Sequence, residues 1–148
     1  MRFTLPFVTA ATVFGLASSN PILETRQEAL RFGTVDVNPT TVKLGQQFNV
    51  LYNNTQGRFV PRTLEVYING KYPNGFVTPS IQLERTDLLE EEKYYTFNTT
   101  LPIISNDDTE GYVAEGAYTV SAFITYTTKT GAISRGGVET PINIDLSN

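Results

Sequence analysis

The sequence predicts an all-β domain built as a single two-sheet antiparallel sandwich. Three observations lead to this fold class. Apolar and polar residues alternate along short segments from residue 32 onward, turn residues recur every few positions, and no segment keeps the 3.6-residue period of an amphipathic helix. Strands that alternate in this way bury only one face, so they stack as two sheets, and about seven of them fit the available length.

In the first part of the domain, each predicted strand ends at a turn signal. The segment "FGTVDVNP" is stopped by Asn38-Pro39, and "TTVKLG" is a short continuation that ends at Gly45. The segment "TLEVYING" is expected to turn at Asn69-Gly70. Alternation gives the inward-facing residues of the other strands, which are Phe48, Val50 and Tyr52, then Leu64, Val66 and Ile68, then Tyr95, Phe97, Thr99 and Leu101.

The segment "AEGAYTVSAFITYTT" is predicted to be the central strand. Gly116, two residues before Tyr118 at the start of this strand, is typical of a tyrosine corner, in which the hydroxyl bonds to upstream backbone. An ordinary core tyrosine is the alternative. The strand count and this corner favour an immunoglobulin/fibronectin-III-like sandwich. The residues of the predicted inward face are Tyr118, Val120, Ala122, Ile124 and Tyr126.

A hairpin is predicted to lead into the last strand. The Lys-Thr-Gly sequence at 129–131 makes the turn, and Ile142, Ile144 and Leu146 mark the strand. Because Pro141 has no N–H to donate, we expect this strand to be bulged or at an edge there.

The N-terminal sequence divides the chain into a signal peptide at 1–19, a polar leader at 20–31 and the sandwich domain at 32–148. Basic Arg2, an apolar run at 3–16 and small residues at 15–19 are typical of a secretory signal, with cleavage after Ala17 or Ser19. A membrane anchor is the alternative, but the run is shorter than the ~20 residues of a spanning helix and contains Pro6. We expect a secreted, extracellular protein, whose leader forms a short helical turn or a loose arm.

The composition excludes several kinds of chemistry. The chain has no cysteine and no histidine, which removes disulfides, serine–histidine and cysteine–histidine catalysis, and thiolate or imidazole metal sites. Its net charge is −4 with no basic cluster, so neither nucleic acid nor an anionic membrane is an expected partner. The acids occur in runs typical of solvated loops, at 90–92 and 107–110, rather than as a spaced catalytic pair. We therefore expect a protein that is not an enzyme and has no cofactor.

Two sequons support passage through the secretory pathway. They are Asn53-Asn54-Thr55 and Asn98-Thr99-Thr100. Both Asn53 and Asn98 fall on the outward phase of their predicted strands, where a glycan does not enter the core. The sequence therefore predicts N-glycosylation at both positions.

A loop with acidic residues at alternate positions is a weak candidate for a calcium site. Asn106, Asp108 and Glu110 are followed by Gly111, which resembles the start of a calcium-binding loop. The position where that loop carries a bidentate glutamate is Ala117, so a solvated strand connection is the favoured interpretation. No other metal site is predicted.

Aromatic residues on predicted loops and outward strand phases are the candidate binding residues. Tyr72 and Phe76 stand in the Gly/Pro-rich connection "NGKYPNGFVTP", and Tyr67 and Tyr94 lie on outward phases. Exposed aromatics of this kind stack on sugars or anchor a protein partner. The alternative is that the loop aromatics fold back over the end of the sandwich. The absence of tryptophan lowers the case for a carbohydrate ligand.

The chain resembles small secreted fungal proteins with an immunoglobulin-like sandwich, and the nearest named group is the Nis1-like secreted effectors. The resemblance is carried by the opening pattern of Pro39, Thr41, Val42 and Gly45 and by the Gly-x-Tyr strand start "GAYTVSAFITY". It covers most of the chain after the signal peptide but not residues 58–85. It implies a fungal secreted protein without known enzymatic activity, for which an effector-like role is one option, and it supplies no site residues.

The leading hypothesis from the sequence is a secreted, glycosylated, non-enzymatic β-sandwich that acts through contacts with an unknown extracellular protein. The alternative is a carbohydrate or cell-wall binding module that uses loop aromatics such as Tyr72 and Phe76.

Overall fold

The computed structural model describes residues 21–102, 111–113 and 115–147. The predicted signal peptide and the calcium candidates Asn106, Asp108 and Glu110 lie outside these described residues. The elements within them are α1 (Pro21–Phe32), β1 (Thr34–Asn38), β2 (Thr41–Lys43), β3 (Gln47–Asn53), β4 (Pro61–Lys71), β5 (Ile81–Asp87), β6 (Tyr94–Thr100), β7 (Ala117–Thr127) and β8 (Ile133–Asp145). The described part of the chain contains no helix that is long and apolar enough to cross a membrane.

The strands form two sheets that pack against each other, so the all-β fold class is confirmed. The smaller sheet has the order β1-β3-β6, and the larger has the order β2-β8-β7-β4-β5. The larger sheet is mixed rather than antiparallel, because β2 pairs parallel with β8, with Thr41 opposite Asn143. The β1–β3 ladder ends at Asn38, and Pro39 has no N–H to continue it. The chain then joins the other sheet at β2.

The middle of the chain departs from the predicted strands. No turn occurs at Asn69-Gly70, since β4 runs on to Lys71. Gly70 serves close packing instead, because a Cβ there would lie 2.4 Å from the ring of Tyr118. The turn follows at 72–75, and Gly75 has a φ of 90°. Strand β5 was not predicted, because a β-bulge at Leu83 breaks its alternation: Val66 pairs with Glu84, whereas Tyr67 pairs with Gln82.

The core contains the apolar faces that alternation predicts. Phe48, Val50, Tyr52, Leu64, Val66 and Ile68 are all buried, as are all five predicted inward residues of β7. Val120 is fully buried, so an aliphatic side chain fills this place in the middle of the core. The hydroxyl of Tyr118 accepts a hydrogen bond from the N–H of Val113. The predicted contact between this tyrosine and upstream backbone is therefore present.

The polar leader is helical up to Phe32, which anchors the end of α1 in the core. The ring of Phe32 lies 5.7 Å from those of Phe59 and Tyr126, and Phe59 and Tyr126 stack at 4.0 Å. Gly136 provides the space, because a Cβ at that position would lie 2.2 Å from the Phe32 ring. The hydroxyl of Tyr52 donates to the carbonyl of Phe32 at 2.6 Å. Aromatic packing and a buried hydrogen bond thus hold the helix to both sheets.

Candidate functional site

The outer surface of the smaller sheet carries both sequons, and we call it the sequon face. Asn53 ends β3 and lies opposite Tyr94 of β6, while Asn98 of β6 lies opposite Asn49 of β3. Asn49 donates to the Oδ1 of Asn98 at 3.2 Å. Both sequon asparagines are on the outward side of their strands, as the alternation predicts.

The outer surface of the larger sheet carries no sequon, and we call it the open face. It is formed by the outward side chains of β4, β7 and β8, including Thr63, Glu65, Tyr67, Phe123, Thr125, Ile133 and Arg135. Glycans on Asn53 and Asn98 would leave this surface accessible.

An aromatic and ionic cluster occupies the middle of the open face. The guanidinium of Arg135 donates to Glu65 Oε2 at 2.8 Å and lies 4.2 Å from the ring centroid of Phe123. The rings of Tyr67 and Phe123 meet edge to face with centroids 6.0 Å apart. Arg85 also contacts Glu65, with Nε and Oε1 3.7 Å apart. The single carboxylate of Glu65 therefore pairs with two guanidiniums, and the cluster forms a structured surface with a net positive charge.

Beside this cluster, three large and exposed apolar side chains line one concavity of about 910 Å³, which we call the apolar concavity. Val60 is 47%, Leu89 is 72% and Ile133 is 70% exposed. Thr63 and Thr125 form part of the wall, with their hydroxyls hydrogen-bonded at 2.7 Å. Exposed apolar residues gathered in one place mark an interaction surface more clearly than scattered ones.

The backbone around Leu89 fixes the shape of this concavity. The N–H of Leu88 donates to the carbonyl of Arg62 at 2.8 Å. The N–H of Leu89 donates to a carboxylate oxygen of Glu92 at 2.8 Å, and the N–H of Glu92 returns a bond to the carbonyl of Leu89. The turn therefore holds Leu89 in its exposed position. Arg62, Asp87 and Glu90 provide a rim of mixed charge, an arrangement typical of protein interfaces.

A second cleft of about 470 Å³ lies where α1 and β1 meet the outer side of β7 and β8. Phe123, Gly137 and Val138 line it with apolar surface, and Glu28 and Asp36 contribute carboxylates from the α1–β1 side. Because Phe123 also belongs to the aromatic cluster, this cleft extends the open face toward the helix.

The predicted binding aromatics do not form one patch. Tyr67 lies in the cluster of the open face, Tyr94 lies on the sequon face, and Tyr72 and Phe76 belong to the β4–β5 connection. The hydroxyl of Tyr72 donates to the carbonyl of Gly111 at 3.2 Å, so this ring is tied to the neighbouring segment. Phe76 is 72% exposed. Only Tyr67 therefore contributes to the open face.

Two tyrosines at the end of the sandwich are in contact, with Tyr112 and Tyr118 ring centroids 5.3 Å apart. Burial and the neighbouring tyrosines raise the pKa of Tyr112 to about 12. Its hydroxyl is buried and has no hydrogen-bond partner among the described residues. Burial also raises the pKa of Tyr118. Both hydroxyls stay protonated near neutral pH, as expected of structural groups.

Sequence reasoning missed the apolar concavity. Ile133 is on the outward phase of its strand, and Leu89 stands just before the acidic run, so nothing in the sequence links the two positions. Their convergence depends on how β5 and β8 flank the ends of β4 and β7.

No group of three or more metal-ligating side chains is found within residues 21–102, 111–113 and 115–147. In comparison with known proteins, no family model and no curated protein matches the chain.

Proposed function

We propose that the chain is a secreted, N-glycosylated, non-enzymatic protein of effector-like role that binds another protein outside the cell through its open face. The observation that supports this proposal is the apolar concavity, which Val60, Leu89 and Ile133 line beside the cluster of Glu65 and Arg135. Apolar anchor sites with a charged rim suit recognition of a protein surface.

The location of the sequons supports the choice of face. Glycans on the sequon face are bulky and hydrated, and they disfavour close protein contact there. The open face lies on the opposite sheet. The predicted signal peptide and the two sequons support export, and the missing histidine and cysteine support a role that does not involve catalysis.

We further propose that the fold is an immunoglobulin/fibronectin-III-like sandwich. The support is the change of sheet between β1 and β2 and the hydrogen bond between the Tyr118 hydroxyl and Val113.

Affinity capture with the purified secreted chain tests the binding function. Extracellular extract would be passed over immobilised wild type, over a Leu89→Ser/Ile133→Ser variant, and over a Phe76→Ser/Val77→Ser control. The control removes two equally exposed apolar side chains outside the open face. We expect a specific protein that wild type and control retain and that the concavity variant retains at least about tenfold less. Equal retention by all three, or by none, would contradict the proposal.

A glycan placed on the open face gives an independent test. Thr125→Asn creates an Asn-Tyr-Thr sequon beside the apolar concavity without other changes. The glycosylated variant is expected to lose the partner, whereas Thr125→Gln, which adds no sequon, is expected to keep it. A partner that binds both equally uses another surface.

The exposed Phe76 at the β4–β5 connection favours a second candidate, a carbohydrate or cell-wall binding module. Pelleting with insoluble chitin and β-glucan tests it. Binding that Phe76→Ala abolishes and Leu89→Ser leaves intact would support this alternative over the open face.

A further inference from the structure

Tyr94 is 60% exposed on the sequon face and lies directly opposite Asn53 in the β3–β6 ladder. The N–H of Asn54 donates to the carbonyl of Lys93 at 2.8 Å. Because this bond joins the next pair along the ladder, Asn53 and Tyr94 themselves form a non-hydrogen-bonded pair. In such a pair the Cα atoms are about 4.5 Å apart and the side chains are closest. The aromatic ring is therefore next to the sequon asparagine.

The carboxamide of Asn53 has a defined orientation. Its Oδ1 accepts hydrogen bonds from the N–H of Thr55 at 2.9 Å and from the hydroxyl of Thr55 at 2.8 Å. With the oxygen turned toward Thr55, the Nδ2 points away from it, and it has no hydrogen-bond partner among the described residues. A substituent on this nitrogen breaks no contact of the fold.

We propose that Asn53 carries an N-linked glycan whose first N-acetylglucosamine packs on the ring of Tyr94. The inference rests on the export that the proposed function includes. In the attachment, the Nδ2 of Asn53 forms a bond to C1 of the sugar and gives up one proton. The bond from C1 to the diphosphate of a lipid-linked oligosaccharide donor breaks, and the lipid diphosphate leaves with the bonding electrons.

The packing has a clear physical basis. One side of a pyranose ring presents only C–H groups, and placing it on an exposed aromatic ring removes apolar surface of both from water. Tyr94 thereby acts as a platform for the chain's own glycan instead of a binding residue for an outside partner. The sugar in turn restrains the ends of β3 and β6.

The other sequon is a matched control within the same pair of strands. Asn98 lies opposite Asn49 four positions along the ladder, so this pair is also of the non-hydrogen-bonded kind. Asn49 is not aromatic and is engaged with the Oγ1 of Thr96 at 2.8 Å. A glycan on Asn98 therefore lacks the platform.

The test compares the full chain secreted from a eukaryotic host with the unglycosylated chain made in bacteria, which contains no cysteine that could misoxidise. Peptide mass spectrometry establishes whether Asn53 is occupied. Tyr94→Ala is then made in both forms and in a secreted Asn53→Gln chain that keeps only the Asn98 glycan. We expect Tyr94→Ala to lower the Tm of the glycosylated chain by about 2–6 °C more than that of the other two.

Trimming the glycans to a single sugar should preserve this difference in Tm loss, because only the first sugar of the glycan contacts Tyr94. An unoccupied Asn53, or an equal effect of Tyr94→Ala in all three chains, would overturn the inference. If Asn53 is occupied but Tyr94→Ala has equal effects in all three chains, the packing of the sugar on Tyr94 is rejected and the proposed role of the open face is unaffected. If the chain is not exported, the proposed function itself is contradicted.

Discussion

The backbone N–H of Val113 donates to the hydroxyl of Tyr118 at 2.7 Å and so ties the start of β7 to the segment before it. Replacing Tyr118 by Phe removes this acceptor and leaves the N–H without its partner. We expect the free energy of unfolding to fall by about 1 kcal/mol in urea titrations. Tyr126→Phe is the control, since this buried tyrosine makes no hydroxyl hydrogen bond among the described residues. A similar loss in both variants would show that the Val113 contact contributes nothing specific.

The buried Val120 allows a test of a core that has no disulfide. The side chain is fully buried in the middle of β7, opposite Ile68 and Thr140. Val120→Ala leaves a cavity, and we expect a loss of about 1–3 kcal/mol in the free energy of unfolding. Thr127→Ala on the exposed end of the same strand should change it by less than about 0.5 kcal/mol. Unchanged stability of Val120→Ala would contradict the observed packing.

The contact between Gly136 and Phe32 predicts how α1 is held. A methyl group at Gly136 would meet the Phe32 ring, so Gly136→Ala is expected to cost about 1–3 kcal/mol. In a chain that already carries Phe32→Ala, the same change should cost much less, because the obstructing ring is gone. The measurement is a double-mutant cycle of unfolding free energies. Additive losses would mean that Gly136 matters for another reason.

The raised pKa of Tyr112 predicts that the free energy of unfolding falls at alkaline pH. Its pKa is raised from 10.0 to about 12, so the folded state keeps its proton where the unfolded state loses it. The stability linked to this group is complete below pH 10 and is lost as the pH rises toward 12. Tyr112→Phe should reduce the loss of unfolding free energy between pH 9 and pH 11, as measured by urea titration. An identical loss in both proteins would contradict the role of Tyr112.

The ion pair of Arg135 and Glu65 is expected to contribute little to stability. Arg135 is exposed, and surface pairs of this kind are typically worth about 0–1 kcal/mol. Arg135→Gln should therefore shift the free energy of unfolding by less than about 1 kcal/mol, and by still less in 1 M salt. A loss well above this value would show that stacking of the guanidinium on Phe123 dominates.

Alternation along single strands predicted most of the core, but not Phe32 at the end of α1 or Leu88 after β5. Phe48, Val66 and Val120 were assigned correctly because a period of two depends only on neighbouring positions. Strand β5 was missed because the bulge opposite Val66 interrupts that period, and Gly70 was mistaken for a turn residue because its packing against Tyr118 is a tertiary contact.

The candidate site was less accessible to sequence reasoning. The exposure of Leu89 and Ile133 is visible only once β5 and β8 have places in the sheet, since the two residues are far apart in the chain. The outward placement of Asn53 and Asn98 followed from the alternation alone. That both lie on one sheet, opposite the apolar concavity, follows from strand order.

The short strand β2 also determines how the molecule resists a pulling force. It lies parallel to β8, with Val42 opposite Ile144 near the C-terminal end of β8. A pull on the two ends of the chain moves these strands in opposite directions along their length, so their hydrogen bonds are loaded together in shear instead of opening one by one. The three residues of β2 that pair with β8 would therefore oppose extension of the chain along this direction.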